Sequence, residues 1–151
     1  MIKILHQYLK EIKFNLLASP KFFILEKQKT PDIEVAVVID ATKINRQNSE
    51  DSDSKDQLFE ITLNIKTGAK VLFENNKQPE QLFELNLRYS GLFMINPADP
   101  ADLDQIISIY CPTILFPFAR RIVATTIGDA GLPPLLLDPI DFSKVKKQQN
   151  N

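Results

Sequence analysis

One short block of this sequence constrains the fold more than any other part. It reads Tyr110-Cys111-Pro112-Thr113-Ile114-Leu115-Phe116-Pro117-Phe118-Ala119-Arg120-Arg121. The block lies in a stretch with helical spacing, yet it contains two prolines, and a proline inside a helix removes a hydrogen bond. Pro112 either interrupts the helix or opens a new segment, where its missing N–H costs nothing. Pro117 lies further in and should bend the helix.

The same block is apolar on nearly every side, which an ordinary surface helix is not. A chain of 151 residues with one sheet cannot easily cover both sides of such a helix. A second subunit is the natural cover, so the block predicts a homo-oligomer whose interface includes this helix. The predicted interface side chains are Tyr110, Ile114, Phe116, Phe118 and Ile122.

Composition limits the class of protein. At 151 residues the chain has room for one domain, residues 1–151, with a real core. Hydrophobic residues make up 44% of the chain and charged residues 25%, which indicates a globular rather than a disordered protein. The net charge of −1 gives no electrostatic reason to expect a nucleic-acid partner.

The sequence also lacks membrane and secretion signals. No apolar run approaches the roughly 20 residues that span a bilayer, so direct membrane insertion is not expected. The N-terminus lacks the long apolar region and the small-residue cleavage site of a secretory signal. The single cysteine, Cys111, excludes an intrachain disulfide, and a reducing, cytoplasmic setting fits.

Alternation of apolar and polar residues predicts the strands. The clear ones run from Ile33 to Ile39, from Phe59 to Ile65 and from Phe83 to Tyr89. Residues 1–19 fit both helical and strand spacing, and their β-branched and aromatic side chains favour a strand from about Tyr8 to Leu16. Gly68 is expected to be a bulge or a turn. Together the strands resemble an antiparallel meander with one apolar face and one wet face.

Two connecting segments are apolar, although loops usually lie in water. Phe22 and Phe23 lie in the connection from Pro20 to Thr30, where they either cover the domain's own core or form an apolar wall beside a groove. The segment Leu132–Phe142 is punctuated by prolines and should be a stiff, extended loop. If the two segments face one another across the strand that begins at Ile33, they make a groove for extended chain.

Two other segments are polar. Residues 45–55 are rich in serine and acidic side chains and are predicted to form a disordered loop, because they cannot bury apolar surface. This loop lacks the glycine and the terminal glutamate of a calcium-binding loop. Residues 144–151 form a polar tail with at most one or two helical turns at its start.

The chemical inventory is poor. His6 is the only histidine and lies near a terminus, and Cys111 fits a small buried hydrophobe better than a nucleophile. The chain has no paired cysteines, no histidine cluster for zinc and no glycine-rich phosphate loop. Asp138 and Asp141 could in principle do acid–base work, but loop termination is the simpler role. The sequence therefore predicts no catalytic residues, no metal site, no cofactor and no enzymatic activity.

Several motifs together resemble the SecB family of protein-export chaperones. The helix block from Tyr110 to Arg120 is similar to the family signature YCP-x-ILFPYAR, with phenylalanine for tyrosine at Phe118. The loop from Leu132 to Phe142 resembles the loop that follows that helix. Weaker similarities occur at Ser90-Gly91-Leu92-Phe93, for the end of the fourth strand, and at Tyr8–Phe14, for the first strand. The matches span nearly the whole chain in the same order.

This resemblance implies a fold class and a function. The expected fold is α+β, a four-stranded antiparallel sheet with one long bent helix and a short C-terminal helix, assembled as a dimer of dimers. The expected function is an ATP-independent cytoplasmic holdase, a homotetramer that binds unfolded precursor proteins and keeps them competent for export through the SecA pathway. The groove residues that the resemblance implies are Phe22, Phe23, Ile33, Val35, Val37, Leu135, Leu137 and Phe142.

The resemblance also implies a docking face for SecA. In the family, acidic side chains on the wet face of the sheet receive the basic tail of this motor. Glu11 matches one of them, and Glu84 lies beside the row of another, but Asn15 and Asn86 carry no charge. The last helix is shorter and the tail is basic. These departures leave an alternative, a SecB-like chaperone dedicated to another client such as an antitoxin. A third reading is an enzyme or small-molecule binder on a related α+β fold.

Overall fold

A computed structural model describes residues 1–24, 30–46, 54–72 and 78–145, and the backbone of residues 147 and 148. The strands are β1 Ile2–Leu16, β2 Asp32–Ile44, β3 Gln57–Val71, β4 Glu80–Ile95 and β5 Lys147–Gln148. The helices are α1 Pro20–Ile24, α2 Leu103–Gln105 and α3 Cys111–Asp129, with a π-helical turn at Ile106–Tyr110 and 3-10 turns at Pro100–Asp102 and Phe142–Lys144. The central part of the predicted disordered loop and the end of the polar tail lie outside the described residues.

The strands form one sheet in the order β1-β4-β3-β2-β5. The first four strands pair antiparallel, which confirms the predicted four-stranded antiparallel sheet. The two residues of β5 add to the edge of β2 in parallel, opposite Ile39 and Asp40. Strands β2, β3 and β4 form a meander, but β1 joins at the far side of β4 instead of beside β2.

The first strand is longer than the sequence predicts, because it begins at Ile2 and not at Tyr8. Its register with β4 shifts twice, between Ile4 and His6 and between Leu9 and Glu11. Each shift interrupts the alternation of inward and outward side chains, which is why residues 1–12 also fit a helical spacing. In β3, the register shift comes between Ala69 and Lys70, one residue after the glycine predicted to mark it.

The core lies between one face of the sheet and helix α3. Alternate residues of β3 and β4 point toward the helix, and Ile61, Leu63 and Leu87 are at most 1% exposed. From the helix, Leu115 and Ala119 meet them with no exposed surface. A Cβ at Gly91 would lie 2.8 Å from Leu115 Cδ2, so this glycine lets the helix approach the sheet closely.

The helical stretch from Pro100 to Asp129 is continuous but irregular. Asp99 caps its start by accepting a 2.9 Å hydrogen bond from the Ala101 N–H. The π-helical turn ends at Tyr110, directly before Cys111 and Pro112, and Pro117 lies inside α3. Pro112 therefore stands in the first turn after the π turn and does not break the helix.

This stretch is long and apolar enough to cross a membrane by length and composition, with a mean hydropathy of 1.4 over its most apolar part. It is the one helix of that kind in the part of the chain that the structure describes. The sequence prediction that no such run exists was therefore too strict. Its inner side packs on the sheet, and the core helix of a globular protein has the same composition.

Candidate functional site

An apolar groove runs between the edge strand β2 and the loop that follows α3. It encloses about 660 Å³. Its lining residues are Val35, Ala36, Val37, Val38, Leu137, Asp138, Pro139, Ile140, Lys144 and Val145. The structure thus brings together the predicted strand and the proline-punctuated loop. It does not bring α1 into the lining of this groove.

The loop wall of the groove is fixed to the fold by several contacts. The Arg120 Nε donates a 2.7 Å hydrogen bond to the Leu137 carbonyl oxygen, which ties the loop to α3. The Phe142 ring packs edge to face on Phe116, with ring centroids 6.0 Å apart. Asp141 accepts a 3.0 Å hydrogen bond from the Ser143 N–H and so caps the 3-10 turn. These contacts therefore fix the position of the loop that forms this wall of the groove.

The predicted groove residues divide into exposed and buried ones. Ile33 and Val35 are 48% and 45% exposed on the helix side of β2, and Val37 and Leu135 are half-buried. Leu137 is 4% exposed and forms part of the groove floor, whereas Phe142 is 3% exposed and supports the loop from inside the core. Phe142 thus supports the groove without lining it.

The two phenylalanines of the first connection have different surroundings. Residues Pro20–Ile24, which carry both phenylalanines, form the one-turn helix α1. Phe22 is 4% exposed and belongs to the core, which corrects its assignment to the groove surface. Phe23 is 46% exposed, and its ring lies at the C-terminal end of α3, where a Cβ on Gly131 would be 3.5 Å from it.

Two features of the groove were missed from the sequence. The first is the contribution of Ile140 and Val145, whose positions follow from the path of the loop and have no signal in the local pattern. The second is the open edge of β2. Within the described ranges, β2 pairs with β5 only at Ile39 and Asp40, so the outer edge of Asp32–Val38 has no strand partner. Its backbone N–H and C=O groups are therefore available to an extended chain.

The predicted oligomer interface is partly open surface. Tyr110 and Phe118 are 53% and 48% exposed, and Ile114 and Ile122 are half-buried. Phe118 stacks on Tyr89, with ring centroids 6.2 Å apart, beside a cavity of about 310 Å³. Phe116 is only 8% exposed and packs in the core, which corrects its assignment to the interface surface. The same side of the sheet also exposes apolar residues of β1, namely Ile2, Ile4, Leu9, Ile12 and Leu16.

The predicted docking residues lie on the outer face of the sheet, away from α3. The Glu11 carboxylate forms a 2.9 Å ion pair with Lys13 and lies 3.8 Å from the Arg88 guanidinium. The hydrogen bond and charge of Lys13, and then Arg88, hold the pKa of Glu11 below its usual value. Glu84 is exposed and accepts a 3.0 Å hydrogen bond from Gln81. The ion pair with Lys13 therefore offsets the negative charge of Glu11, one of the two predicted docking residues.

Cys111 and His6 are the two groups that the sequence singled out for possible nucleophilic chemistry. Cys111 has no exposed surface, and burial raises the pKa of its thiol to about 12, far from a reactive thiolate. The His6 ring lies at the exposed start of β1, with its centroid 5.8 Å from that of Tyr8. No group of three or more metal-ligating side chains occurs in the described ranges.

Comparison with protein families places this geometry in a known context. The family model described as preprotein translocase subunit SecB matches residues 1–151. The chain is 38% identical over 153 aligned positions to a Protein-export protein SecB from Wolbachia pipientis subsp. Culex pipiens, covering 99% of this chain and 89% of the relative. It is 35% identical to the Protein-export protein SecB of Nitrobacter hamburgensis, covering 97% of this chain and 82% of the relative.

A solved structure shares the fold. It is the SecB-like chaperone Rv1957 of Mycobacterium tuberculosis in complex with a ChAD peptide from the HigA1 antitoxin, with a TM-score of 0.60 and 17% identity. The alignment covers 92% of this chain and 90% of that structure. A structure from Streptococcus agalactiae, of a protein of unknown function, aligns with a TM-score of 0.51 and 11% identity. At these identities the likeness concerns the fold alone.

Proposed function

Because this chain belongs to the SecB family, we propose that it is a chaperone for protein export that holds unfolded precursor proteins in the groove beside β2. The observation that carries the proposal is an apolar groove of about 660 Å³ along a strand whose edge is open. An extended client offers both side chains for the groove and backbone groups for the edge. Members of this family are chaperones and not enzymes.

The energetics of the groove suit a holdase. Burial of each large apolar client side chain against Val35, Val37 and Ile140 contributes roughly 1.5–3 kcal/mol before the cost of ordering the client. Such contacts require no particular order of side chains, so one groove can accept many sequences. Affinity at a single groove is then modest, and several grooves on one assembly increase it through avidity. Binding of a client through such apolar contacts requires no nucleotide.

We propose that the assembly is a homotetramer, a dimer of dimers. Two observations support it. Tyr110 in the π-helical turn is 53% exposed, and Phe118 in α3 is 48% exposed although one side of its ring stacks on Tyr89. Strand β1 pairs with β4 alone, so within the described residues its other edge is open and lies beside a row of exposed apolar side chains. A second copy covers both features through a symmetric contact.

The proposed setting is the cytoplasm, where precursors are held before export. The SecA motor remains a proposed partner on the outer face, at Glu11 and Glu84. Of these two carboxylates, Glu84 forms no ion pair with any described residue, whereas Glu11 is engaged by Lys13 and Arg88. We therefore expect the basic tail of SecA to bind weakly and to depend on Glu84 more than on Glu11.

The alternative of a chaperone dedicated to an antitoxin is less well supported. It rests on the departures from the family pattern, such as Asn15 and Asn86, and on a structural neighbour with an antitoxin peptide that is 17% identical to this chain. The export chaperones are 35% and 38% identical over nearly the whole chain. Export is therefore the function that we propose, with the unfolded client as the general ligand.

The test is suppression of aggregation of a chemically unfolded precursor on dilution, without nucleotide. Wild-type protein should suppress aggregation at one tetramer per precursor. The variant Val35→Asp places a charge in the groove and should lose suppression, while Ile44→Asn serves as the matched control, because it lies on the same strand but on the outer face. Failure of wild-type protein at this ratio, or equal activity of the Val35→Asp variant, would overturn the proposal.

A further inference from the structure

Part of the β2 edge is covered by the chain's own polar tail, residues 144–151. Lys147 and Gln148 of this tail form β5 and pair in parallel with Ile39 and Asp40, partway along the 13 residues of β2. On the N-terminal side of this contact, the edge of β2 has no strand partner among the described residues. The chain therefore places a strand of its own at one end of the open edge.

The path of the chain connects the groove directly to β5. Val145 lines the groove, and its backbone, at φ −83° and ψ 135°, is extended where the 3-10 turn of Phe142–Lys144 ends. The turn is closed by hydrogen bonds from the Lys144 N–H to the Asp141 carbonyl oxygen, at 3.1 Å, and from the Val145 N–H to that of Phe142, at 3.3 Å. Phe142 anchors the turn in the core. The tail thus leaves the groove wall from a fixed point and reaches the edge of β2 two residues later.

We propose that β5 acts as a strand stop, which limits the length of client strand that the β2 edge accepts. This role rests on the proposed function, in which an extended client pairs with the same edge. Within the described residues a client strand finds seven open positions, Asp32–Val38, or about 23 Å of edge. To continue past them it has to displace β5, so each backbone hydrogen bond that it gains at Ile39 and Asp40 replaces one made by β5. The free energy of client binding should therefore stop rising with strand length at about seven residues.

Two properties of the tail favour β5 over a client strand at this point, although β5 is short. The tail belongs to the same chain and starts beside the edge, so its effective concentration there is higher than that of a free client. The tail and β2 also differ in charge. Residues 144–151 contain three lysines and no acidic side chain, whereas β2 contains Asp32, Glu34 and Asp40 and a single lysine. Both properties keep β5 in place against a client strand that offers only the same backbone hydrogen bonds.

The experiment is a titration of full-length protein, followed by the fluorescence anisotropy of two labelled peptides. In both peptides leucine alternates with serine, and their lengths match the open edge, seven residues, and the whole of β2, 13 residues. The variant is Lys147→Pro/Gln148→Pro. Proline has no N–H, so changing both residues removes the donor whichever of them faces β2. Compared with wild type, this variant should bind the longer peptide about fivefold to tenfold more tightly and the shorter peptide with unchanged affinity.

The matched control is Asn150→Pro/Asn151→Pro, which places the same two prolines beyond β5 and should leave both affinities unchanged. An unchanged or lower affinity of Lys147→Pro/Gln148→Pro for the longer peptide would overturn the strand stop. So would an equal gain for both peptides, which would show that the tail covers the groove itself. In these cases, binding of the shorter peptide to wild-type protein still supports the proposed function. If neither peptide binds any form of the protein, the proposed function fails and the strand stop fails with it.

Discussion

The Arg120 guanidinium holds the wall of the groove by donating a 2.7 Å hydrogen bond from its Nε to the carbonyl oxygen of Leu137. The arginine comes from α3, and the leucine comes from the loop that follows it 17 residues later. Together with the packing of Phe142 on Phe116, this contact joins α3 to the groove in which we propose that clients bind. A change in the helix can therefore alter the groove without touching it.

The first prediction concerns this hydrogen bond. Arg120→Met keeps much of the apolar stem but leaves the Leu137 carbonyl without its donor, which should lower the free energy of unfolding by about 1–2 kcal/mol. Client affinity should fall as the wall loosens. Hydrogen exchange of amides in residues 132–142 measures the loosening directly. Unchanged exchange in this variant would show that the loop is held by its other contacts, such as the packing of Phe142 on Phe116.

The second prediction separates two adjacent phenylalanines. Phe22→Ala removes a ring that is 4% exposed and should lower the free energy of unfolding by about 3–5 kcal/mol. Phe23→Ala removes a ring that is 46% exposed and should cost less than about 1 kcal/mol. Urea unfolding of both variants checks the difference. If the two variants lose stability equally, the burial of Phe22 in the core is wrong.

The third prediction concerns the closest approach of helix and sheet. Gly91→Ala would place a Cβ 2.6 Å from the Phe93 ring and 2.8 Å from Leu115 Cδ2, so it should destabilise the fold by about 1–3 kcal/mol. Adding Leu115→Val should restore part of that loss, because it removes volume at the same point. Thermal unfolding of the single and double variants measures the coupling. Strict additivity would argue against a direct contact between the two positions.

The fourth prediction concerns the proposed tetramer. Phe118→Glu places a charge on the exposed side of α3 and should shift the assembly toward smaller species, as measured by light scattering after size exclusion. Ile24→Glu is the control, because Ile24 is 77% exposed and lies outside both α3 and β1. Wild-type protein that elutes as a stable monomer would contradict the proposal at once.

The fifth prediction is a pH dependence on the outer face. Tyr8 donates a short hydrogen bond to Glu60 Oε2, and Lys10 lies 2.6 Å from Glu60 Oε1. Burial raises the pKa of Glu60, but the hydrogen bonds from Lys10 and Tyr8 outweigh burial and hold that pKa below its usual value. The stabilisation that the Glu60 carboxylate provides is therefore complete above its unfolded-state pKa, about 4.3. It is lost as the pH falls through the lower pKa that Glu60 has in the folded state.

Glu60→Gln should remove that part of the acid sensitivity and cost about 1–2 kcal/mol of unfolding free energy at neutral pH. At high pH the sign is reversed for Tyr8, whose pKa is raised to about 12 by burial and by the bond to Glu60. The contribution of Tyr8 to the free energy of unfolding is complete below about pH 10. It is lost as the pH rises through the folded-state pKa of about 12. Urea unfolding between pH 3 and pH 7 tests the acid limb, and an identical slope in the variant would contradict it.

Local patterns in the sequence were sufficient to predict the long helix and the central strands, because those elements depend on near neighbours in the chain. They were insufficient for β1, whose two register shifts break the alternation that identifies a strand. They also could not decide between Phe22 and Phe23. A single helical turn rotates one ring inward and the other outward, and the packing partners come from distant segments.

The candidate site was predictable to a similar extent. The strand and loop that form the groove each have a recognisable pattern, but Ile140 and Val145 enter it through the path of the chain. The neutralisation of Glu11 depends on cross-strand register next to a bulge, since Glu11 reaches Arg88 on β4 only after the shift that follows Leu9. The charge of a single residue read from the sequence therefore does not predict the electrostatic potential of the sheet face on which it lies.

The open edge of β2 has a consequence for the protein in the absence of any client. Within the described residues the outer edge of Asp32–Val38 is unpaired, and it can pair with the same edge of another molecule as readily as with a precursor. Because β1 at the other side of the sheet also has an open edge within those residues, such pairing can continue from one molecule to the next. Asp32 and Glu34 put like charges near the start of that edge, and β5 shortens it at the other end. A chaperone that prevents aggregation must therefore also keep its own β2 edge from forming fibres. The repulsion between these charges on different copies sets the highest protein concentration at which the edge stays unpaired.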